Sequence, residues 1–143
     1  ELDKEGFIAA SKKLMTECPN IKQVFDKIRT GLSASWQKIY GRAWVDQTYI
    51  ETDELEIKQV VDRIGTGDAY AAGLIYGLLH YDAEKALNFA NAACALKHTI
   101  LGDVNLVSVA EITDAFEPHF TTTILDGETD DQELYTKKNP YYF

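Results

Sequence analysis

Apolar and polar positions follow different periods in different parts of this chain. Over residues 2–17, Leu2, Phe7, Ile8, Leu14 and Met15 stand among Lys, Glu and Ser, which predicts a helix stopped by Pro19-Asn20. IKQVFDKI (21–28) alternates partly and is rich in β-branched and aromatic residues, so a strand is expected. Residues 29–35 are small and polar and read as a loop. WQKIYGRAWV (36–45) reads as strand, a Gly41-Arg42 turn, and strand, with a further strand around 57–61 leading into VVDRIGTGD.

Helices follow. Asp68 to His80 is apolar nearly all round, which predicts a helix buried on every side. Gly73 and Gly77 each cost helix propensity on the order of 1 kcal/mol relative to Ala, and close packing on a sheet is the expected reason for them. Asp82 is placed to cap a helix running to about Thr99, in which Phe89, Ala93, Leu96 and Ile100 share one face. Ser108 and Glu111 have the spacing of a capping box for a last short helix through Phe116. Strands first and packed helices afterwards indicate an α/β layer structure. Residues 1–116 read as the folded domain. Residues 117–143 form a tail that is acidic in its middle, apolar at its end and without helical period, and no role is assigned to it.

Composition narrows the function classes. The 143 residues suit one domain with its own core. No apolar run approaches the roughly 20 residues of a membrane span, and the opening ELDKEGF lacks the basic start and apolar stretch of a signal peptide. A cytoplasmic protein without membrane contact is expected. The net charge of -9, from 14 basic and 23 acidic residues, argues against a nucleic-acid partner. It does not exclude an anionic nucleotide, because backbone N–H groups and Mg²⁺ can make a site locally positive. Cys18 and Cys94 stand far apart without ligand spacing and read as two reduced thiols.

The informative stretch is Asp62-Arg63-Ile64-Gly65-Thr66-Gly67-Asp68, a turn between a strand and a helix. Glycines at 65 and 67 let the backbone approach a ligand closely. The first N–H groups of the helix, with its dipole, then make an anion hole. Asp68 at the same end has two readings. It can simply favour the dipole, which is worth roughly 0.3–1 kcal/mol. Alternatively it is a base beside the hole, the pairing that phosphoryl transfer needs. The local pattern leaves both open, since it is neither a P-loop nor a dinucleotide fingerprint.

VDRIGTGDAYAAGL resembles the signature of ribokinase-like (pfkB-type) sugar kinases, Asp-Thr-x-Gly-Ala-Gly-Asp-x-Phe, which opens a buried helix. Asp62, Gly65, Gly67 and Asp68 match it. Thr66 stands in the alanine place, Tyr70 in the phenylalanine place, and Arg63 departs at the threonine place. RTGLSAS, GLIYGLL and ALKHTILGDVNLVS look, more narrowly, like 2-keto-3-deoxygluconate kinases. The resemblance runs over about residues 15–115. It implies a Rossmann-type three-layer α/β/α fold, ATP and Mg²⁺ as cofactors, with a monovalent cation in some members, and a small sugar or sugar acid as substrate. By it, Asp68 is the catalytic base and the amides of Gly65, Thr66 and Gly67 form the anion hole. Ser33 and Ser35 match positions near the nucleotide phosphates and ribose, and Asn91 lies on the helix that walls the adenine pocket. Gly102 and Asp103 match the loop that closes the nucleotide site. Asp62 either places a monovalent cation or Mg²⁺ or orders the turn by hydrogen bonds.

Other conspicuous residues read as structural. His80 and His98 fall at helix C-termini, where imidazole can meet the last carbonyls. Trp36, Tyr40 and Trp44 read as packing in the hairpin rather than as a base-stacking platform. A complete kinase of this kind resembles a chain about twice as long, so the sheet is expected to be incomplete, with one edge open unless the missing half or a second copy covers it. Two functions follow from different classes: a sugar kinase, and a non-catalytic nucleotide-binding or assembly fragment. A fructokinase or nucleoside kinase would share the same turn.

Overall fold

The computed structural model describes residues 3–31 and 33–116. The tail 117–143, and with it the division at 116, lies outside the described residues. The chain runs α1 (Lys4–Glu17), β1 (Gln23–Gly31), β2 (Gln37–Val45), β3 (Thr48–Glu51), β4 (Leu55–Ile57), α2 (Thr66–His80), α3 (Ala83–Lys97) and α4 (Val109–Phe116).

Helix α1 starts where Asp3 accepts a hydrogen bond from the Gly6 amide at 2.8 Å and ends just before Cys18-Pro19. Strand β1 continues to Gly31, through residues expected to be loop. The reason is its partner: Arg29, Thr30 and Gly31 lie opposite Ile39, Lys38 and Gln37, so ladder pairing outweighs polar composition.

The expected turn at Gly41-Arg42 is absent. Strand β2 is continuous, with Gly41 opposite Lys27 and Arg42 opposite Asp26. Gly41 is there for space, because a Cβ would come within 2.9 Å of Leu87 Cδ1 and 3.0 Å of the Tyr70 hydroxyl. The chain reverses instead at Asp46-Gln47, both left-handed (φ 49° and 65°), and β3 pairs back onto β2. The strand expected at 57–61 occupies only Leu55–Ile57. Beyond it the backbone leaves the ladder, with the Val60 amide donating to Ser35 O and the Val61 amide to His98 O.

Alternation along β2 builds three layers. Ile39, Ala43 and Val45 pack with Leu87, Ala90 and Cys94 of α3. Arg42 and Trp44 point the other way, toward α1, where the Arg42 guanidinium lies over Phe7 and the Lys12 ammonium over Trp44. Arg42, only 3 % exposed, is held by Asp26 at 2.7 Å. This is the expected α/β/α arrangement. Every strand pair in it is antiparallel, and among the described residues β1 has β2 on one side and an open edge on the other.

Helix α2 is not buried all round. Ala69, Tyr70, Gly73 and Gly77 are buried, whereas Ile75 is 63 % and Leu79 76 % exposed. The two glycines pack on a helix rather than on the sheet. A Cβ at Gly73 would stand 2.9 Å from Ala93 Cβ, and one at Gly77 would stand 2.7 Å from Ala86 Cα. Helix α3, sandwiched between the sheet, α2 and α4, is buried on several faces rather than the one expected. Asp82 caps it by accepting from the Lys85 amide at 2.8 Å, and the Ser108–Glu111 box opens α4. Both caps are as read from the sequence. Among the described residues no helix is long and apolar enough to cross a membrane.

Candidate functional site

The glycine-rich turn sits on the C-terminal end of α3. The amides of Val61 and Asp62 donate to His98 O at 2.9 and 3.2 Å, which fixes where the turn begins. Asp62 then organises it: Oδ1 accepts the Ile64 amide at 3.0 Å and Oδ2 the Gly102 amide at 2.8 Å. Those two amides, Ile64 first, hold the Asp62 carboxyl below its ordinary pKa. Gly65 is left-handed (φ 74°), and a Cβ there would collide with the carbonyl oxygen of Asp103, so glycine is required twice over. The loop at 102–103 thus closes directly on the turn.

Gly65 is the N-cap of α2 and offers no side chain to its first amides. Among the described residues the amides of Gly65 and Gly67 have no acceptor, and that of Thr66 reaches Arg63 O only at 3.5 Å. A Cβ at Gly67 would meet nothing within 4 Å, so protein packing does not demand this glycine. Open donors and open space coincide there. Asp68, the third residue of α2, is exposed, and no hydrogen bond or ion pair engages its carboxylate among the described residues. It stands at the positive end of the helix with its lone pairs free.

The remaining expected residues divide. Ser33 and Ser35 share a contact between their Oγ atoms at 3.3 Å, and Ser35 O receives the Val60 amide at 3.0 Å, so their loop flanks the segment entering the turn. Gly102 is tied to the turn through Asp62. Asn91 is not brought there. It is 1 % exposed, and its Nδ2 donates to Thr52 Oγ1 at 3.2 Å, bracing α3 against the residues after β3. It also lies roughly 10 Å along the helix from the His98 end. Its Nδ2 is engaged, while its Oδ1 has no hydrogen-bond partner among the described residues.

His80 and His98 meet helix carbonyls as expected, through Nδ1 to Tyr76 O (2.8 Å) and to Cys94 O (2.7 Å). Burial pushes the His98 pKa down. Trp44 is packed away under α1, while Trp36 donates to Glu56 at 2.6 Å on the surface. Lys97 is a polar residue that the sequence pattern does not single out. Its ammonium is buried beneath the turn, donating to Ile100 O at 3.0 Å and Gly102 O at 2.6 Å. A charge at i+4 from Ala93 and i+8 from Phe89, on an otherwise apolar face, is the signal that could have found it.

Metal ligands are sparse. Among the described residues no three His, Cys, Asp or Glu converge on one point. Asp62, Asp68 and Asp103 belong to the turn and the loop closing on it. Mg²⁺ carried mainly by phosphate oxygens and water needs only one or two carboxylates.

Comparison with known proteins points to carbohydrate kinases. Residues 41–108 match the pfkB family of carbohydrate kinases. The segment spans β2 through the turn to the capping box of α4. Over those residues the chain is similar to the pfkB carbohydrate kinases. A solved 2-dehydro-3-deoxygluconokinase from Thermotoga maritima shares 32 % identity over 80 % of this chain, with TM-score 0.73, and 35 % of that enzyme is covered. A pfkB family carbohydrate kinase from Listeria grayi shares 33 % over 80 % of the chain, again with TM-score 0.73 and 36 % of its own length covered. A putative 2-keto-3-deoxygluconate kinase from Enterococcus faecalis shares 28 % over 82 %, with TM-score 0.70 and 34 % covered. No curated protein matches the chain. The chain spans about a third of the length of these solved kinases. The resemblance read from VDRIGTGDAYAAGL is borne out, and so is the partial α/β fold.

Proposed function

We propose that this chain is the phosphate-holding, base-bearing part of a kinase that transfers phosphate from ATP to a hydroxyl of a small sugar acid, 2-keto-3-deoxygluconate. The observation that carries the reading is the uncapped start of α2. The amides of Gly65 and Gly67 have no acceptor among the described residues, a Cβ at Gly67 would meet open space, and the unengaged Asp68 carboxylate stands one residue on. The identities of the T. maritima and E. faecalis kinases support the choice of acceptor.

In this reading Asp68 accepts the proton of the sugar hydroxyl as its oxygen bonds to the γ-phosphorus and the bond to the leaving ADP breaks. The amides of Gly65, Thr66 and Gly67 hold the charge on the phosphoryl oxygens without reorganising. Gly67 matters through what it lacks, since a Cβ would fill the space the phosphate uses. Ser33 and Ser35 line the approach to the turn. Asp62 serves the site by ordering the backbone. Mg²⁺, bound with the nucleotide, would supply charge neutralisation, with Asp103 and Asp68 the carboxylates at hand. A cytoplasmic reaction, with ATP as donor, is part of this reading.

Positioning the acceptor can be worth roughly 7–11 kcal/mol of barrier, and the matched part of this chain covers only 34–36 % of each solved kinase. The open edge of β1 favours a second reading, in which the segment binds nucleotide and turns over only with further structure beside that edge. Titration with Mg·ATP and a non-hydrolysable analogue, followed by a turnover assay with 2-keto-3-deoxygluconate, separates the two. Binding with turnover supports the kinase reading for the chain alone, and binding without turnover supports the second. Absence of binding overturns both.

A further inference from the structure

Lys97 closes α3 with an ammonium that is 0 % exposed. A cation taken out of water is costly unless other oxygens replace its hydration. Here they are backbone carbonyls, Ile100 O at 3.0 Å and Gly102 O at 2.6 Å. No carboxylate forms an ion pair with it among the described residues. The Asp62 carboxylate stands close enough for Lys97 to help lower its pKa. Gly102 is consequently gripped twice, its carbonyl by Lys97 and its amide by Asp62, and the next carbonyl, that of Asp103, backs Gly65.

Convergent carbonyl oxygens around a single positive charge are the ligand set that holds a monovalent ion by replacing its hydration shell. We infer that the Lys97 ammonium is a built-in monovalent cation: it occupies the carbonyl cradle of the 100–102 loop and holds that loop against the glycine turn, so no dissolved ion is needed there. On this inference Asp62 has the second of its two expected roles, ordering the turn. Asp62 orders the turn through the Ile64 and Gly102 amides, and the Ile100 and Gly102 carbonyls turn their oxygens to Nζ. Lys97 is a positioning residue, acting on the anion hole through Gly102, Asp62 and Asp103.

The test is thermal unfolding of the wild type and of Lys97→Ala in LiCl, KCl and NH₄Cl at equal ionic strength. The wild type is expected to show no rise specific to K⁺ or NH₄⁺. Lys97→Ala in LiCl is expected to melt roughly 5–10 °C lower, and to regain much of that loss in KCl or NH₄Cl as a free ion enters the vacated cradle. A wild type stabilised by K⁺ over Li⁺, or a variant whose loss is the same in all three salts, would overturn the inference. Should Lys97→Ala fail to fold in every salt, the wild-type comparison decides alone. A parallel titration with Mg·ADP, resting on the proposed nucleotide site, should show affinity falling at least about tenfold in the variant with partial recovery in KCl. The melts do not depend on that site, so a failure of the nucleotide reading leaves the lysine test intact.

Discussion

Among the described residues, α1, α3 and α4 start under side chains that accept their first amides, from Asp3, Asp82 and Ser108, whereas α2 starts from Gly65 with nothing to accept. A side-chain cap is typically worth about 1 kcal/mol, so α2 forgoes stability that the other three keep. The glycines repeat the contrast. Gly73 and Gly77, inside α2, have α3 backbone or Cβ atoms within 3 Å of where a Cβ would stand, while Gly67, at its start, has open space. Glycine serves packing in one region and, in the proposed kinase, leaves room for phosphate in the other.

The sharpest way to break this contrast is at Asp68. In a full-length kinase carrying this segment, Asp68→Asn is expected to lower kcat by about 10²–10⁴ while leaving nucleotide affinity nearly unchanged. Turnover surviving the change would mean that Asp68 is not the base. Next in size, Gly67→Ala should weaken Mg·ADP binding by roughly tenfold or more, yet leave stability equal or slightly higher, because Ala is the better helix former by about 1 kcal/mol. Gly77→Ala is its mirror image. It should cost about 1–3 kcal/mol in chemical denaturation, as the α2–α3 pair is forced apart, with little effect on nucleotide affinity in the folded protein. Asp82→Ala should cost about 1 kcal/mol and leave binding alone.

The smallest effect expected is on pH dependence. His98 is held below its ordinary pKa, by burial first and then by Lys27, Arg29 and Lys97. The unfolded chain takes up a proton near pH 6.5 that the folded chain accepts only at lower pH, so stability should fall as pH drops below about 6.5. Urea melts at about pH 7.5 and 5.5 check this, and His98→Gln should reduce the difference. Asp62 acts in a lower window. Its depressed carboxyl contributes stability above about pH 4 that is lost as pH falls further.

What could be read from the sequence was local. The caps at Asp82 and Ser108–Glu111 are set by neighbours three residues apart, and the glycine turn by seven consecutive residues. What could not be read depended on distant partners. Gly41 looks like a turn until Leu87 and Tyr70 are seen to press on it, and Asp46-Gln47 turns the chain without a glycine. Arg29 to Gly31 extend β1 because β2 lies beside them. Asn91 and Lys97 are polar residues on a buried helix whose partners, Thr52 and the 100–102 carbonyls, no periodicity identifies. Ile75 and Leu79 stay exposed although apolar, where a helix apolar nearly all round predicts burial on every side.

The most direct test of the open α2 start is a calorimetric titration of the purified chain with Mg·ADP, wild type beside Gly67→Ala. Saturable binding by the wild type, weakened roughly tenfold or more in a variant that melts no lower, is the predicted result. Equal affinities, or no binding by a well-folded wild type, would contradict it.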